Sequence, residues 1–389
     1  MTGPAVPQRF FPGRMIAQIP GMFAYFPRDA LVLVGLDWLD DALQPVELAY
    51  IGLEQVLSQN WQHAMFRDLR RLPHVFAVIV TPHRETQQVD DITEHAYVAQ
   101  VLGTNLIEAC WHVADIAHGE SFSLVFATPG LLGYDVRRPP VMFGSVADPE
   151  DNDHMRLLHN CGVRPAANFA TFAGYWEYSE DLAALTGVHS KAASQEFATA
   201  NAVVDVATSA LRRAHRALMD LNDGNADRAV DLVYAARDVL RSAVASELIE
   251  PTHSCPQIVL VDDPHELEVL IAALSVSKIS DCLITEALDH PQQTAGLLMH
   301  VAKTTHGEAR AHALGIWALI ALQEGITPWT LQALRQASAE MPSYTPARVI
   351  GELLRQGRSH EVISRAHSGS QRAWAELLLP PDAMHWRRT

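Results

Sequence analysis

The 389-residue sequence is short of cysteine: Cys110, Cys161, Cys255 and Cys282 are scattered, with no C-x-x-C pair among them. This excludes a disulfide framework and the paired ligands of a zinc ribbon, and leaves buried, reduced thiols as the expectation. Long apolar runs are absent too, so no membrane span is expected. The opening stretch, Met1 to Arg14, is rich in Pro and Gly and lacks an apolar core, so no signal peptide is expected either. Basic residues are outnumbered, with 29 Lys and Arg against 45 Asp and Glu, a formal charge of −16 and a pI near 5.6. That balance argues against nucleic-acid binding, because neutralising phosphates needs a concentrated basic face. The Trp386-Arg387-Arg388 cluster at the C-terminus reads as a frayed tail. The phosphate cradles G-x-G-x-x-G and G-x-x-x-x-G-K-[ST] are missing, as are H-E-x-x-H and G-x-S-x-G. The sequence therefore names no catalytic residue, and neither a cofactor nor a metal is expected.

What is present suffices for an ordinary core: 48% of residues are hydrophobic and 19% charged, over a length that suits two or three domains. The first third alternates strands and helices. Ala30–Leu36, Glu47–Leu53, Val75–Val80, Leu106–Ile116 and Phe122–Phe126 read as strands. Glu54–Arg71 and Asp91–Leu102 carry helical spacing between them. Strand–helix–strand succession favours parallel pairing, and the short link around Gly119 favours an antiparallel hairpin, so a mixed sheet is expected. Residues 129–175, with PGLLGYDVRRPP and the acidic ADPEDND, are the least regular segment.

Two apolar seams follow. Phe197, Val204, Leu211 and Leu218 are seven apart, with Ala200, Ala207, Ala214 and Leu221 three residues later. After Asn222-Asp223-Gly224-Asn225 come Ala226, Val233 and Leu240, with Ala229, Ala236 and Ala243. The pattern predicts a long antiparallel αα-hairpin turning at 222–225. Off its main stripe the first helix carries Val203, Val206 and Ala210, a second apolar face that calls for a second neighbour, in the same chain or in another copy. The last third is punctuated by Pro264, Pro291, Gly307, Gly325, Pro328, Pro342 and Pro346. Helices are expected at 264–275, 277–289, 291–304, 308–323, 328–340 and 345–356. Leu314 to Pro342 has partial tetratricopeptide spacing, at Gly325, Leu334, Ala337 and Pro342, enough for about one repeat.

The fold class is α/β, with α+β the other option. The layout is an N-terminal α/β domain over 1–140, an irregular connection over 141–189, the hairpin over 190–250 and a helical domain over 251–389.

Four constellations carry chemistry-bearing residue types. IVLVDD ends in Asp262 and Asp263, an acidic pair of the kind that holds magnesium in receiver domains. No phospho-accepting strand follows, so the pair reads as a helix N-terminus. His112, Asp115 and His118 offer metal donors, yet on a strand the first two face opposite sides, which makes them surface polar residues. His154, His159 and Cys161, with Asp151 and Asp153, offer good ligand types at a spacing that matches no zinc motif. Cys110 lies two residues from His112, but one sequence does not single out a triad assembled from distant segments.

GRMIAQIPGMFAYFPRDALVLVGL resembles the opening of domain-of-unknown-function family 4192: a helix, a proline, a short turn before an F-x-P-like motif, and an apolar strand. Pro20, Phe26, Pro27, Leu31 and Val32 fit, and Ala30 stands where the family usually has Ser. The likeness continues through VFAVIVTP, LIEACWHVADIAHGESFSLVFA, LSVSKISDCLI and the stretch from ARAHALGIWALIALQEG to GELLRQG. The family's cysteine-rich segment has no counterpart over residues 122–150, and its R-x-D-L-P is missing around 47–53. The resemblance implies an actinobacterial, cytosolic protein and this fold layout, and no activity.

The combined expectation is a non-catalytic cytosolic interaction or regulatory protein, with a protein partner or a second copy as its ligand, and no nucleic acid or membrane. The alternative is a hydrolase or small-molecule enzyme with its site at the strand ends of the N-terminal sheet.

Overall fold

The computed structural model describes residues 10–39, 42–57, 69–82, 107–128, 142–160, 164–186, 188, 206–242, 263–355 and 358–379. The expected helix over 91–102, and most of the one over 54–71, lie outside them. Packing divides the chain into two compact units, Met1–Asn160 with Arg164–Phe172, and Cys161–Val163 with Ala173–Thr389.

The first unit is built on a mixed six-stranded sheet: β1 Ala30–Leu39, β2 Ala42–Gly52, β3 His74–Val80, β4 Ala109–Val113, β5 Ser121–Ala127 and β6 Phe143–Ser145, in the order β2-β1-β3-β4-β5-β6. Among the described strands of the sheet, β3 and β4 pair in parallel, Phe76 opposite Ala109 and Val80 opposite Val113, and the other strand pairs are antiparallel. β2 is longer than the sequence suggests, because Ala42–Pro45 also pairs with β1, beyond a bulge at Val46. The hairpin around Gly119 forms as expected, and that glycine's φ of +78° is left-handed backbone that suits a residue without a β-carbon.

Both faces of the sheet are buried at its central strands, which explains why most of β1 and all but the start of β3 read as unbroken apolar runs. Helix α1, Pro12–Phe23, lays Met15, Ile16 and Ile19 on the face formed by Val32, Val34, Phe76, Val78 and Trp111. Pro20 falls inside α1 rather than after it; the helix stops at Ala24, whose φ is +63°. On the other face Leu31, Leu33, Ala77, Ile79 and Cys110 meet Leu53 and Val56 of α2, Leu53–Leu57, and Leu69 of a single 3-10 turn. Gly35 admits that turn: a β-carbon there would lie 2.2 Å from Leu72 Cδ1.

The described residues of the 142–188 stretch carry short elements, namely β6, α3 Asp153–Asn160, α4 Phe169–Gly174 and α5 Glu180–Leu185. Asn152 ties α3 to α1: its Oδ1 accepts from Met155 N and its Nδ2 donates to Ala17 O.

The second unit is helical. The hairpin consists of α6 Val206–Asn222 and α7 Asp227–Ser242, and turns where the Asn-Asp-Gly-Asn sequence demands. Next come α8 Pro264–Leu274, α9 Ser277–Asp289, α10 Pro291–Thr304, α11 Gly307–Gln323, α12 Thr327–Glu340 and α13 Thr345–Arg355, each within a residue of the pattern read from Pro and Gly. A further helix, α14 Ser359–Leu378, was not anticipated. Its described buried residues are Val362, Ser370 and Leu377, too sparse for a visible apolar period. Trp176, Trp317 and Trp329 form the aromatic centre of this unit, with ring centroids 4.8–6.2 Å apart. The tetratricopeptide-like stretch falls on α11 and α12, which pack together, with Leu334 and Ala337 buried.

The seams need one correction. On α7, Ala229, Val233, Ala236 and Leu240 are buried as expected, joined by Leu232 and Val239. On α6 the buried stripe is Val206, Ala210, Ala214 and Ala217, whereas Leu211 and Leu218 are exposed. The off-stripe face is therefore the inner one, packed on α8 of the same chain. Alanines win this side because they let two helix backbones approach closely. Phe197, Ala200, Val203 and Val204 lie outside the described residues.

Candidate functional site

Among the described residues, none of the four constellations gathers into a metal-holding group. Asp263 is the N-cap of α8 and its carboxylate accepts from His265 N at 2.8 Å; Asp262 is not among the described residues. His112 is buried rather than at the surface, because its strand lies inside the sheet; its Nε2 hydrogen-bonds Thr81 O at 3.1 Å. Asp115 accepts from Ile116 N and pairs with Arg28, while His118 is exposed on the hairpin turn. His154 and His159 sit five residues apart on α3, so they diverge around the helix. His159 pairs with Glu150, and Cys161 lies outside the described residues. Cys110 is fully buried, and burial pushes its thiol far above the ordinary range, which removes it as a nucleophile. Among the described residues, no group of three or more His, Cys, Asp or Glu side chains is placed to hold a metal ion.

Three other arrangements come from the tertiary structure. The first lies at the carboxyl ends of the parallel pair β3 and β4, where open α/β sheets bind ligands. Thr81 Oγ1 donates to Asp29 Oδ1 at 2.9 Å, Thr81 N donates to Val113 O, and Arg28 reaches Asp115 at 3.5 Å. Asp29 has a φ of +46°, a left-handed conformation that Asp tolerates better than most residues and that turns its carbonyl towards Leu53 N. Burial, then the charge of Asp29, raises the Tyr50 hydroxyl. Asp29 stands one residue before an apolar strand, a position the sequence marks only by its polarity.

The second is a serine–histidine pair in the helical unit. His312 Nδ1 donates to Leu274 O at 2.7 Å, which leaves Nε2 to accept from Ser277 Oγ at 3.2 Å. Thirty-five residues separate the two, so no local pattern announces them. The imidazole is buried and engaged at both nitrogens. Its evident effect is to lock the α8–α9 turn to α11.

The third is the outer face of the hairpin. Leu211 is 53% exposed, Leu218 42% and Met219 46%, and Arg212, His215 and Arg216 are exposed among them. Isolated exposed leucines are ordinary, but three large apolar side chains on one face of a two-turn segment form a patch. α7 exposes Asp227, Asp231 and Asp238 around Tyr234, which is 52% exposed. Asp220 pairs with Arg228 across the hairpin at 3.1 Å, beside these faces, and fastens the two helices to each other.

A cleft of about 300 Å³ opens beside Phe11, Gly13, Phe122 and Gly144, with Arg14 its one titratable lining residue. No described helix is long and apolar enough to cross a membrane.

A family model described as a domain of unknown function, DUF4192, matches residues 12–360. No curated protein and no solved structure matches the chain.

Proposed function

We propose that this chain, which belongs to the DUF4192 family, works in the cytosol by protein association, without a reaction of its own. The observation that carries this is the outer face of α6, where Leu211, Leu218 and Met219 are held in solvent on a helix already anchored by its alanine stripe. A rigid helix with an uncovered apolar face is the usual form of a docking surface. The perturbed groups are interior ones: burial raises Cys110 in the core of the sheet, and Cys282 and Tyr344 inside the helical unit, where Asp281 acts on both. A photo-crosslinking residue placed at His215 tests this in living cells. The expected result is a discrete protein adduct at 215 that is absent when the same residue replaces exposed Glu352. No adduct at 215, or equal adducts at both positions, would overturn it.

The strained Asp29 and the polar groups around Thr81 favour a second reading, a small-molecule site at the strand ends. A metabolite that raises the melting temperature of the natural chain, and fails to do so for Asp115→Ala, would establish that reading in its place.

A further inference from the structure

We infer that the occupant of the hairpin's outer face is a second copy of this chain, arranged so that α6 of each protomer lies on α7 of the other. The inference rests on the association reading above and adds the identity of the partner.

Charge carries the argument. The outer face of α6 is basic, and neither Arg212 nor Arg216 has a carboxylate partner among the described residues; Arg216 Nε donates only to Arg212 O. The outer face of α7 is acidic: Asp227 and Asp231 are exposed there, and Asp238 has only a distant pairing at 3.7 Å with Arg241. Arg241 is itself committed to Glu286 at 2.7 Å. In a chain of net charge −16, a basic helix face beside an acidic one is an arrangement that attracts its own copy.

Geometry then selects the symmetry. Two hairpins stacked face to face with their helices aligned are related by a two-fold axis that runs either along the helices or across them. An axis across the helices sets α6 on α6 and α7 on α7, arginine against arginine and aspartate against aspartate. An axis along the helices sets α6 on the second copy's α7 and keeps every residue at its own height above the turn. With a rise of about 1.5 Å per residue, Arg212 and Asp238 both stand about 15 Å from the turn. Arg216 and Asp231 stand at roughly 9 and 6 Å. Each arginine of one copy thus meets an aspartate of the other, and each pairing occurs twice. Met219, on the same side of α6 as the two arginines, supplies an apolar contact beside the charged layers, and Leu211 and Leu218 flank it along the edge of the helix.

The size of the face sets the strength. Two helices about 25 Å long and about 10 Å wide present roughly 500 Å² per protomer. The total of about 1,000 Å² is at the low end for a specific interface, so the dimer should form in the micromolar range.

Charge reversal tests the pairing on the intact chain. Sedimentation of the natural protein should show a monomer–dimer equilibrium at micromolar concentration, weakened by salt. Arg212→Glu with Arg216→Glu makes both outer faces acidic, and Asp231→Arg with Asp238→Arg makes both basic. Each variant alone should be monomeric, and an equimolar mixture should recover a heterodimer of at least the natural affinity. All four positions are exposed, and circular dichroism of each variant checks that it folds. A natural protein that stays monomeric, a dimer that neither reversal disturbs, or a mixture of folded variants that fails to associate would each overturn the inference. A monomeric protein that still gives foreign adducts at 215 would overturn the second copy while sustaining the association reading. Loss of both would remove the two together.

Discussion

Gly315 sits inside α11, where an alanine would ordinarily favour the helix by about 1 kcal/mol. Here a β-carbon would lie 2.0 Å from the Tyr344 hydroxyl and 2.7 Å from its Cζ, in a ring that also meets His312 edge-on at 5.4 Å. Gly315→Ala should therefore destabilise the protein by about 1–3 kcal/mol. Tyr344→Phe in the same chain should restore part of that loss. A double-mutant cycle by urea unfolding checks this, and additive effects would show that the two residues do not oppose each other. His154 offers a pH readout. Burial against α1, where Gly21 closes on it, holds its imidazole below the ordinary histidine range, and Asp153 opposes the shift in part. The unfolded chain then binds the proton more readily, so stability should rise with pH through the window below about 6.5 and fall as acid is added. His154→Gln should flatten the melting temperature against pH there, and an unchanged slope would assign it to other groups.

At the scale of elements, α6 shows how a helix is oriented by its neighbours. Both of its stripes are apolar, and the leucines are the larger, yet the alanines face inward. On monomeric protein at low concentration, Leu211→Ala should change stability by no more than about 0.5 kcal/mol, as at other exposed positions. Ala210→Leu should cost about 1–3 kcal/mol by overfilling the contact with α8. Proline at Leu211 should cost about 3 kcal/mol or more, since it breaks the helix whichever way the side chain points. The opposite order for the first two would restore the heptad seam as the buried one. α14 is fixed by a different means, with Arg237 lying 4.5 Å above Trp374 and Tyr234 edge-on to the same ring. Those contacts reach across more than a hundred residues of chain, which is why a local period does not reveal the helix.

At the scale of the whole molecule, each unit has a core of its own, one on the two faces of a sheet and one among helices around three tryptophans. Apolar burial of this kind requires no metal. A chelator should leave the melting temperature of desalted protein unchanged. One equivalent of zinc per chain, with unfolding on its removal, would contradict that and direct attention to His and Cys residues beyond those described.

The sequence by itself determined the features that depend on near neighbours. Pro264, Pro291 and Pro328 start helices because a ring at the first turn loses no hydrogen bond, and Gly325, with φ of +81°, ends one because it has no β-carbon to clash. The apolar runs of β1 and β3 announced a sheet covered on both sides, and Asn222 to Asn225 announced the hairpin turn. Only the tertiary structure decided which stripe of α6 turned inward, that His112 would be buried, that Ser277 and His312 would meet, and that Asp29 would hold Thr81. Those outcomes depend on which surfaces compete for the same neighbour. Periodicity says that a face is apolar; close approach to α8 decides which of two apolar faces is buried and which stays exposed.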